Sequence, residues 1–260
     1  PPRPDVVGYA VEEASTPNML ALREAVFPGV EEAPKELVNK LVDQYDTGLA
    51  NLDTWLGPLL DHLRDARDET MVVITSDHGE FLGEHRWAEH PRDVYQEGIH
   101  VPLIVAAPGQ KMGVSDHTPV VSHHLPNMIL RALGERAESQ LQHFPATPAN
   151  TMALSEHYYD RGKFLIEPRW SHRFQRVRRS SINWPFKLIH STDGAHELFD
   201  LEQDPEEQRN LFDQHREKAR EMLELLTDTL GESLKPSNQE APEVHLSPAE
   251  RERLRELGYL

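Results

Sequence analysis

Apolar residues recur at steps of three and four along residues 35–66: Leu37, Leu41, Tyr45, Leu49, Leu52, Leu56, Leu59 and Leu63. That spacing lines up one face of an α-helix, so a long amphipathic helix is expected. Gly57-Pro58 falls inside it. Proline lacks the N–H, and its ring meets the carbonyl one turn back, so a kink or break is expected there. Two runs of another kind follow, MVVIT at Met71–Thr75 and VPLIVAA at Val101–Ala107. Continuous apolar β-formers of this length predict strands buried on both faces. Residues 122–134, SHHLPNMILRALG, predict a short helix closed by Gly134 just past its end. Helices alternating with such strands indicate an α/β fold with a mostly parallel sheet flanked by helices.

The texture changes beyond residues 135–150, a polar stretch carrying two prolines that reads as a linker. TMALSEHYY, RRSSINWPFKLIHS and AHELFDL are short strand-like runs joined by turns such as Thr192-Asp193-Gly194, the pattern of a small antiparallel sheet. Residues 206–231 predict a helix with Leu211, Met222, Leu223, Leu225, Leu226 and Leu230 on its apolar side. A last helix is expected at 248–257, where Ser247, Pro248 and Glu250 form a capping box. The expected division is therefore 1–134, an α/β portion, and 151–260, a smaller subdomain.

Composition narrows the functions. The 260 residues carry 44 acids against 27 bases, a formal charge of −17. No basic surplus is available to displace counterions from nucleic acid or to dock on anionic lipid. With no cysteine, disulfide frameworks, thiol nucleophiles and thiolate metal sites are excluded. No apolar run approaches the ~18 residues of a membrane span. A chain opening PPRP, without an initiator Met or a basic n-region, reads as cut from something longer, so the compartment is not legible.

Against this background the stretch Thr75–His90, TSDHGEFLGEHRWAEH, stands out. In open α/β sheets ligands bind at the carboxyl ends of strands. Asp77, His78 and Glu80 lie where MVVIT runs out, and Gly79 permits a tight turn. An adjacent carboxylate and imidazole can share a divalent cation; the alternative is a loop whose charges are merely solvated. His123 and His124 are consecutive, so on a helix they diverge by ~100° and suit a surface role better than a shared ion. For Arg178, Arg179 and Lys187 the default is a ladder or surface position.

VVITSDHGEFLGEH followed by YQEGIHVPLIVAAPG resembles the second half of a sulfatase of the alkaline-phosphatase superfamily. Three further patches keep the family's order: YDTGLANLDTWLGPLLDHL resembles the helix before that strand, PFKLIH with HELFDLEQDPEEQRNL its C-terminal sheet, and LSPAERERLRELGYL a common terminus. The resemblance implies that residues 1–134 belong to the catalytic α/β domain. It implies further that Asp77 and His78 complete a divalent-metal site, Ca2+ foremost with Mg2+ or Mn2+ as alternatives. His90 takes the position of a Lys or His that contacts the sulfate or protonates the leaving oxygen, with His85 competing for that role. Glu80 and Glu84 read as supports, Tyr95 and Glu97 as holding the fold, and His100 as a packed or edge histidine.

The family's nucleophile is a formylglycine made from a Cys or Ser in a C/S-x-P-S-R motif, and two more metal carboxylates come from near the N-terminus. Neither feature is present in these 260 residues; SPAER at 247–251 lies in the terminal helix signature. The expectation is a C-terminal part of a sulfatase, inactive by itself, whose substrate is a small-molecule or glycan sulfate ester. The alternatives are a phosphoester or phosphonate hydrolase of the same superfamily, and an inactive remnant or binding module. Relatives that are exported make a periplasmic or secreted setting a family-level expectation only.

Overall fold

The computed structural model describes residues 33–64, 69–90, 92–108, 120–134, 152–158 and 170–231, with 22, 26, 66, 113, 115, 168, 247, 248, 251 and 253 as single positions. The expected linker and most of the terminal helix lie outside them.

Helix α1 spans Lys35–Arg64, with Glu36 in its first turn and His62 and Arg64 in its last, charges that complement the helix dipole. Its periodic stripe packs on the core only at the start, through buried Leu41 and its neighbours Leu37 and Val38. From Tyr45 onward the stripe is largely exposed: Leu49, Leu52 and Leu59 face solvent, and Trp55 is 81% exposed. The helix also runs through Gly57-Pro58 without a break, against expectation. Pro58 and Thr54 are exposed, so water can serve the Thr54 carbonyl that loses its partner.

Strands β1, Val72–Thr75, and β4, Leu103–Ala106, pair antiparallel, with Val72 opposite Ala106 and Thr75 opposite Leu103. The α/β class holds, but no parallel pair occurs among the described residues, because the intervening chain turns back before re-entering the sheet. Nor is the pair buried on both faces. β1 is half-buried, and in β4 Ile104 and Ala106 are exposed, so one face has no cover among the described residues.

Between them β2, Phe81–Leu82, and β3, Ala88–Glu89, form a small hairpin around a 3-10 turn at Glu84–Arg86. Gly83, His85, Arg86 and Glu89 all have positive φ. For the three L-residues this conformation is unfavourable by about 1–2 kcal/mol each. Arg173 holds it in place: its Nη1 donates to Arg86 O at 2.7 Å, Nη2 donates to His85 O at 3.2 Å, and the guanidinium stacks 3.8 Å from the Trp87 ring. Helix α2, Gln96–Ile99, then leads into β4, and helix α3, Leu125–Ala132, ends as expected with Gly134 at φ 78°.

The antiparallel sheet expected near the C-terminus is present. β5 (Ala153–His157), β6 (Arg178–Asn183), β7 (Phe186–Ser191) and β8 (Glu197–Asp200) pair in that order. Because successive side chains alternate faces, β7 sends Ile189 to one core and Leu188 to another. The first core joins Phe81, Trp87 and Tyr95 to Trp170, Phe174, Ile189 and Phe199, with Trp170 and Phe174 contributed by and before the short helix α4, Ser171–Phe174. The second places Leu188, Leu198 and Leu211 under Ala219, Met222 and Leu226 of helix α5, Arg216–Leu230. That helix starts ten residues later than expected. Asp204 accepts the amides of Gln208 and Arg209, and Asn210 accepts those of Leu198 and Phe212, so side chains compete with helix formation through 204–212. No described helix is long and apolar enough to cross a membrane.

Candidate active site

The charged loop begins where β1 ends. Ser76 Oγ donates to His78 O at 2.8 Å, and Asp77 Oδ1 accepts the His78 amide at 3.0 Å, which fixes a tight turn. His78 Nδ1 lies 2.9 Å from Gly79 O. A carbonyl can only accept, so Nδ1 carries a proton here, which leaves Nε2 as the nitrogen free to meet a cation. That Nε2 stands 3.5 Å from Asp77 Oδ2.

Gly79 makes the turn possible. Its amide donates to Gly98 O at 3.0 Å, and a Cβ at this position would collide with the Glu97 carbonyl. The backbone of α2 is thus pressed against the loop that carries Asp77 and His78.

His90, on the far side of the hairpin, returns to the same place. Its ring stacks on His78 with centroids 4.0 Å apart and 15° between planes. Its Nδ1 pairs with Glu80 Oε2, so the carboxylate orients the imidazole and leaves Nε2 facing outward. His78, Glu80 and His90 each offer a ligand atom within 4.8 Å of the others. The structure thus gathers His78, Glu80 and His90, with Glu80 as the orienting group, and Asp77 meets this cluster through His78. Glu84 accepts the Leu82 amide at 2.6 Å and shapes the hairpin.

His85 belongs elsewhere. It stacks on Tyr95 at 3.7 Å, and its nine-tenths-buried ring places Nε2 3.5 Å from Glu97 Oε2. Glu207 completes this second group of acids and imidazole. The positive charge such a group calls for is already supplied: Lys187 Nζ lies 2.6 Å from Glu207 Oε1, both side chains wholly buried. Burial lowers the Lys187 pKa and raises that of Glu207, while each partner pulls the other back toward its charged form.

The remaining basic candidates are buried too, contrary to the surface default. Arg178 pairs with Asp93 at 3.0 Å and with Glu197, which also accepts the Tyr95 hydroxyl at 2.8 Å; Arg179 Nε donates to Glu156 at 2.6 Å. They do sit in the β6 and β7 ladders. Sequence reasoning missed this network because its signal, RRSSIN alternating against FKLIHS, gives no indication of what covers each face. His100 is exposed at the end of α2, and His123 and His124 meet edge to face at 4.1 Å, outside both acid-imidazole groups.

A profile described as "Sulfatase" matches residues 8–135, and one described as "N-sulphoglucosamine sulphohydrolase, C-terminal" matches 83–235, more than half of the chain. The chain belongs to the sulfatase family. Among its relatives is the N-acetylglucosamine-6-O-sulfatase of Bacteroides thetaiotaomicron, 29% identical over 196 residues, covering 68% of this chain and 33% of that protein. Arylsulfatase K of Xenopus laevis is 28% identical over 184 residues, covering 66% of this chain and 34% of that protein. The chain thus spans about a third of the length of these curated relatives. The fold also matches two solved structures. One is a protein in complex with its substrate D-glucosamine-2-N,6-O-disulfate, with TM-score 0.58, 24% identity, and 86% of this chain and 48% of that one covered. Another is the phosphonate monoester hydrolase of Agrobacterium radiobacter, with TM-score 0.56, 22% identity, and 87% and 51% covered.

The separation of the Asp77 and His78 ligand atoms fits a divalent cation, although the imidazole is a softer donor than the oxygens that Ca2+ favours. Two ligand atoms at right angles, each about 2.3–2.6 Å from such an ion, lie about 3.3–3.7 Å apart, and Asp77 Oδ2 and His78 Nε2 are 3.5 Å apart. Asp77 is exposed and His78 half-buried.

Proposed function

We propose that this chain is the C-terminal part of a sulfuric ester hydrolase. Asp77 and His78 would hold a divalent ion, Ca2+ foremost, with Mg2+ or Mn2+ as alternatives. His90 would be the group that donates a proton to the departing oxygen. The observation that carries this reading is the convergence of Asp77 Oδ2, His78 Nε2 and the stacked His90 ring at the end of β1. When bound, the cation supplies Lewis acidity that polarises the ester's oxygens and favours an ionised nucleophile. Asp77 contributes negative charge to its binding, and Gly79 holds the pair in place. His90, anchored through Nδ1 by Glu80, can hold a proton on Nε2 and pass it on.

Two ligands are too few for a cation that prefers six or more oxygens. The formylglycine nucleophile and two further carboxylates would come from polypeptide beyond these 260 residues. The exposed apolar stripe of α1 and the uncovered face of β4 support this, since both are surfaces that a larger sheet would cover. The names of the relatives favour a sulfated glucosamine or related glycan as substrate. Sulfate and phosphonate share tetrahedral geometry, and the Agrobacterium match makes phosphonate hydrolysis the second reading.

The test is an assay of the isolated chain, and of the chain joined to a complementing N-terminal half, on 4-nitrophenyl sulfate, glucosamine-6-sulfate and the phosphonate monoester 4-nitrophenyl phenylphosphonate. Sulfate release that needs both halves and is lost in Asp77→Ala supports the proposal. Turnover by the isolated chain, abolished by the same substitution, overturns the need for a second half. Phosphonate turnover alone selects the second reading.

A further inference from the structure

The proposed site lies at the rim of β1, yet the most deeply buried charges nearby come from the C-terminal sheet. Lys187 sits in β7 and Glu207 in the turns after β8, and their paired side chains are both wholly buried. Glu207 Oε2 accepts the Gln96 amide at 2.6 Å, and Lys187 Nζ lies 3.4 Å from Gln96 Oε1. Two residues on, Gly98 O accepts the Gly79 amide, and the Glu97 carbonyl lies where a Gly79 side chain would be. The contact path is continuous: Lys187, Glu207, Gln96, Gly98, Gly79, then His78 and Asp77.

We infer that Lys187 and Glu207 are positioning residues for the Asp77–His78 loop, acting through the backbone of residues 96–98. The inference rests on the metal-site reading above and assigns that site a control residing in the other half of the chain. A buried pair is a weak source of net stability, since desolvation offsets most of its attraction. What it does supply is a fixed point. A carboxylate that must stay on an ammonium cannot follow thermal displacements of the strand, so the amide it binds is held as well. Gln96 opens α2, where its N–H has no partner within the helix, and Glu207 is the acceptor that pins that end. Gly79, with no side chain, allows 96–98 to lie directly on the metal loop.

Two readouts separate positioning from bulk stability: the hydrogen-exchange rate of the Gly79 amide in the 260-residue chain, and the Mn2+ concentration that half-broadens the His78 ring protons by NMR in the chain joined to its complementing N-terminal half. Lys187→Met strips Glu207 of its counter-charge. Gln96→Pro deletes the amide donor while leaving both ends of the pair intact; proline is tolerated at a first helical position, and Tyr95 before it is already extended at ψ 163°. Leu188→Ala, a cavity in the same strand, is the control. The expected result is Gly79 exchange faster by about tenfold or more in Lys187→Met and Gln96→Pro, with a matching rise in the Mn2+ midpoint. Leu188→Ala should lower the melting temperature but leave the Gly79 rate within about twofold, because its opening is local. Should Lys187→Met fail to fold, Gln96→Pro decides. Unchanged Gly79 exchange in Gln96→Pro, or an equal rise in Leu188→Ala, overturns the inference. A complemented parent whose His78 signals Mn2+ never broadens overturns the metal reading instead, and Gly79 exchange in the 260-residue chain still tests the positioning.

Discussion

The imidazoles of His78 and His90 lie face to face, 4.0 Å between centroids, although eleven residues separate them in sequence. Stacking fixes one ring by the other, and Glu80 fixes the second by its Nδ1. Replacing Glu80 with Ala frees the His90 ring to rotate while leaving Asp77 and His78 in place. In the complemented enzyme, kcat should fall about 10–100-fold with the Mn2+ midpoint little changed. Equal loss of metal binding would show that Glu80 is itself a ligand.

Gly79→Ala tests the close approach to α2. The added methyl meets backbone, which cannot rotate aside, so either the turn or α2 must shift. Unfolding free energy should drop by about 1–3 kcal/mol, the usual range for overpacking. The drop would be read by urea denaturation, together with altered amide shifts at both Gly79 and Gly98.

Asp93 is the acceptor on which Arg178 depends inside the first core, its side chain 1% exposed. Asp93→Ala removes the more deeply buried of the two carboxylates that pair with Arg178, leaving Glu197. Because Glu197 remains, a loss of about 1–3 kcal/mol is expected, still a large share of a marginal chain's stability. Arg178→Met combined with Asp93→Leu should recover most of it, measurable by thermal melts of the two variants side by side.

His190, half-buried in β7 beside His196 and Arg179, has its pKa pushed down to about 4, by burial first and then by those two neighbours. Its folded pKa lies below the unfolded value near 6.5, so the unfolded chain takes up the proton first. The stabilising contribution is therefore full above pH about 6.5 and is lost as pH falls toward 4. Allowing for the half-exposed ring, the loss is roughly 1–2 kcal/mol. In His190→Gln the slope of stability against pH between 6.5 and 4 should flatten, by denaturant titration at stepped pH.

The exposed stripe on α1 predicts behaviour in solution. Leu52→Asp and Trp55→Ser remove apolar surface that packs on nothing described, so the melting temperature should hold while self-association falls. Light scattering against concentration gives the answer, and a large loss of melting temperature would show that the stripe is packed after all.

The strongly periodic or alternating elements are legible in the sequence: α1, the antiparallel C-terminal sheet and the Gly134 stop follow from local spacing, although RRSSINWPFKLIHS reads as one run where the structure has β6 and β7. The burial of β1 and β4 is not, because continuous apolar runs record what a strand is built to face rather than what covers it in this chain. The late start of α5 escaped for another reason. Asp204 and Asn210 redirect the backbone through side-chain acceptors, an effect that Leu211 within an apolar pattern conceals. At the site, the end of an apolar strand singled out Asp77, His78 and Glu80, while His90 entered only through the family resemblance and not through spacing. Spacing could not separate His85 from His90, since both follow the same strand; left-handed backbone at His85 sends its ring inward to Tyr95. Lys187 and Glu207 meet through a non-local contact that no local pattern records.

Because Trp87 and Tyr95 nest among Trp170, Phe174 and Phe199, the two halves of the chain share one interior. Severing the backbone anywhere between Leu133 and Met152 would not release two modules; the pieces would stay together as a nicked but folded complex, and neither could be expressed alone without exposing half of an aromatic core.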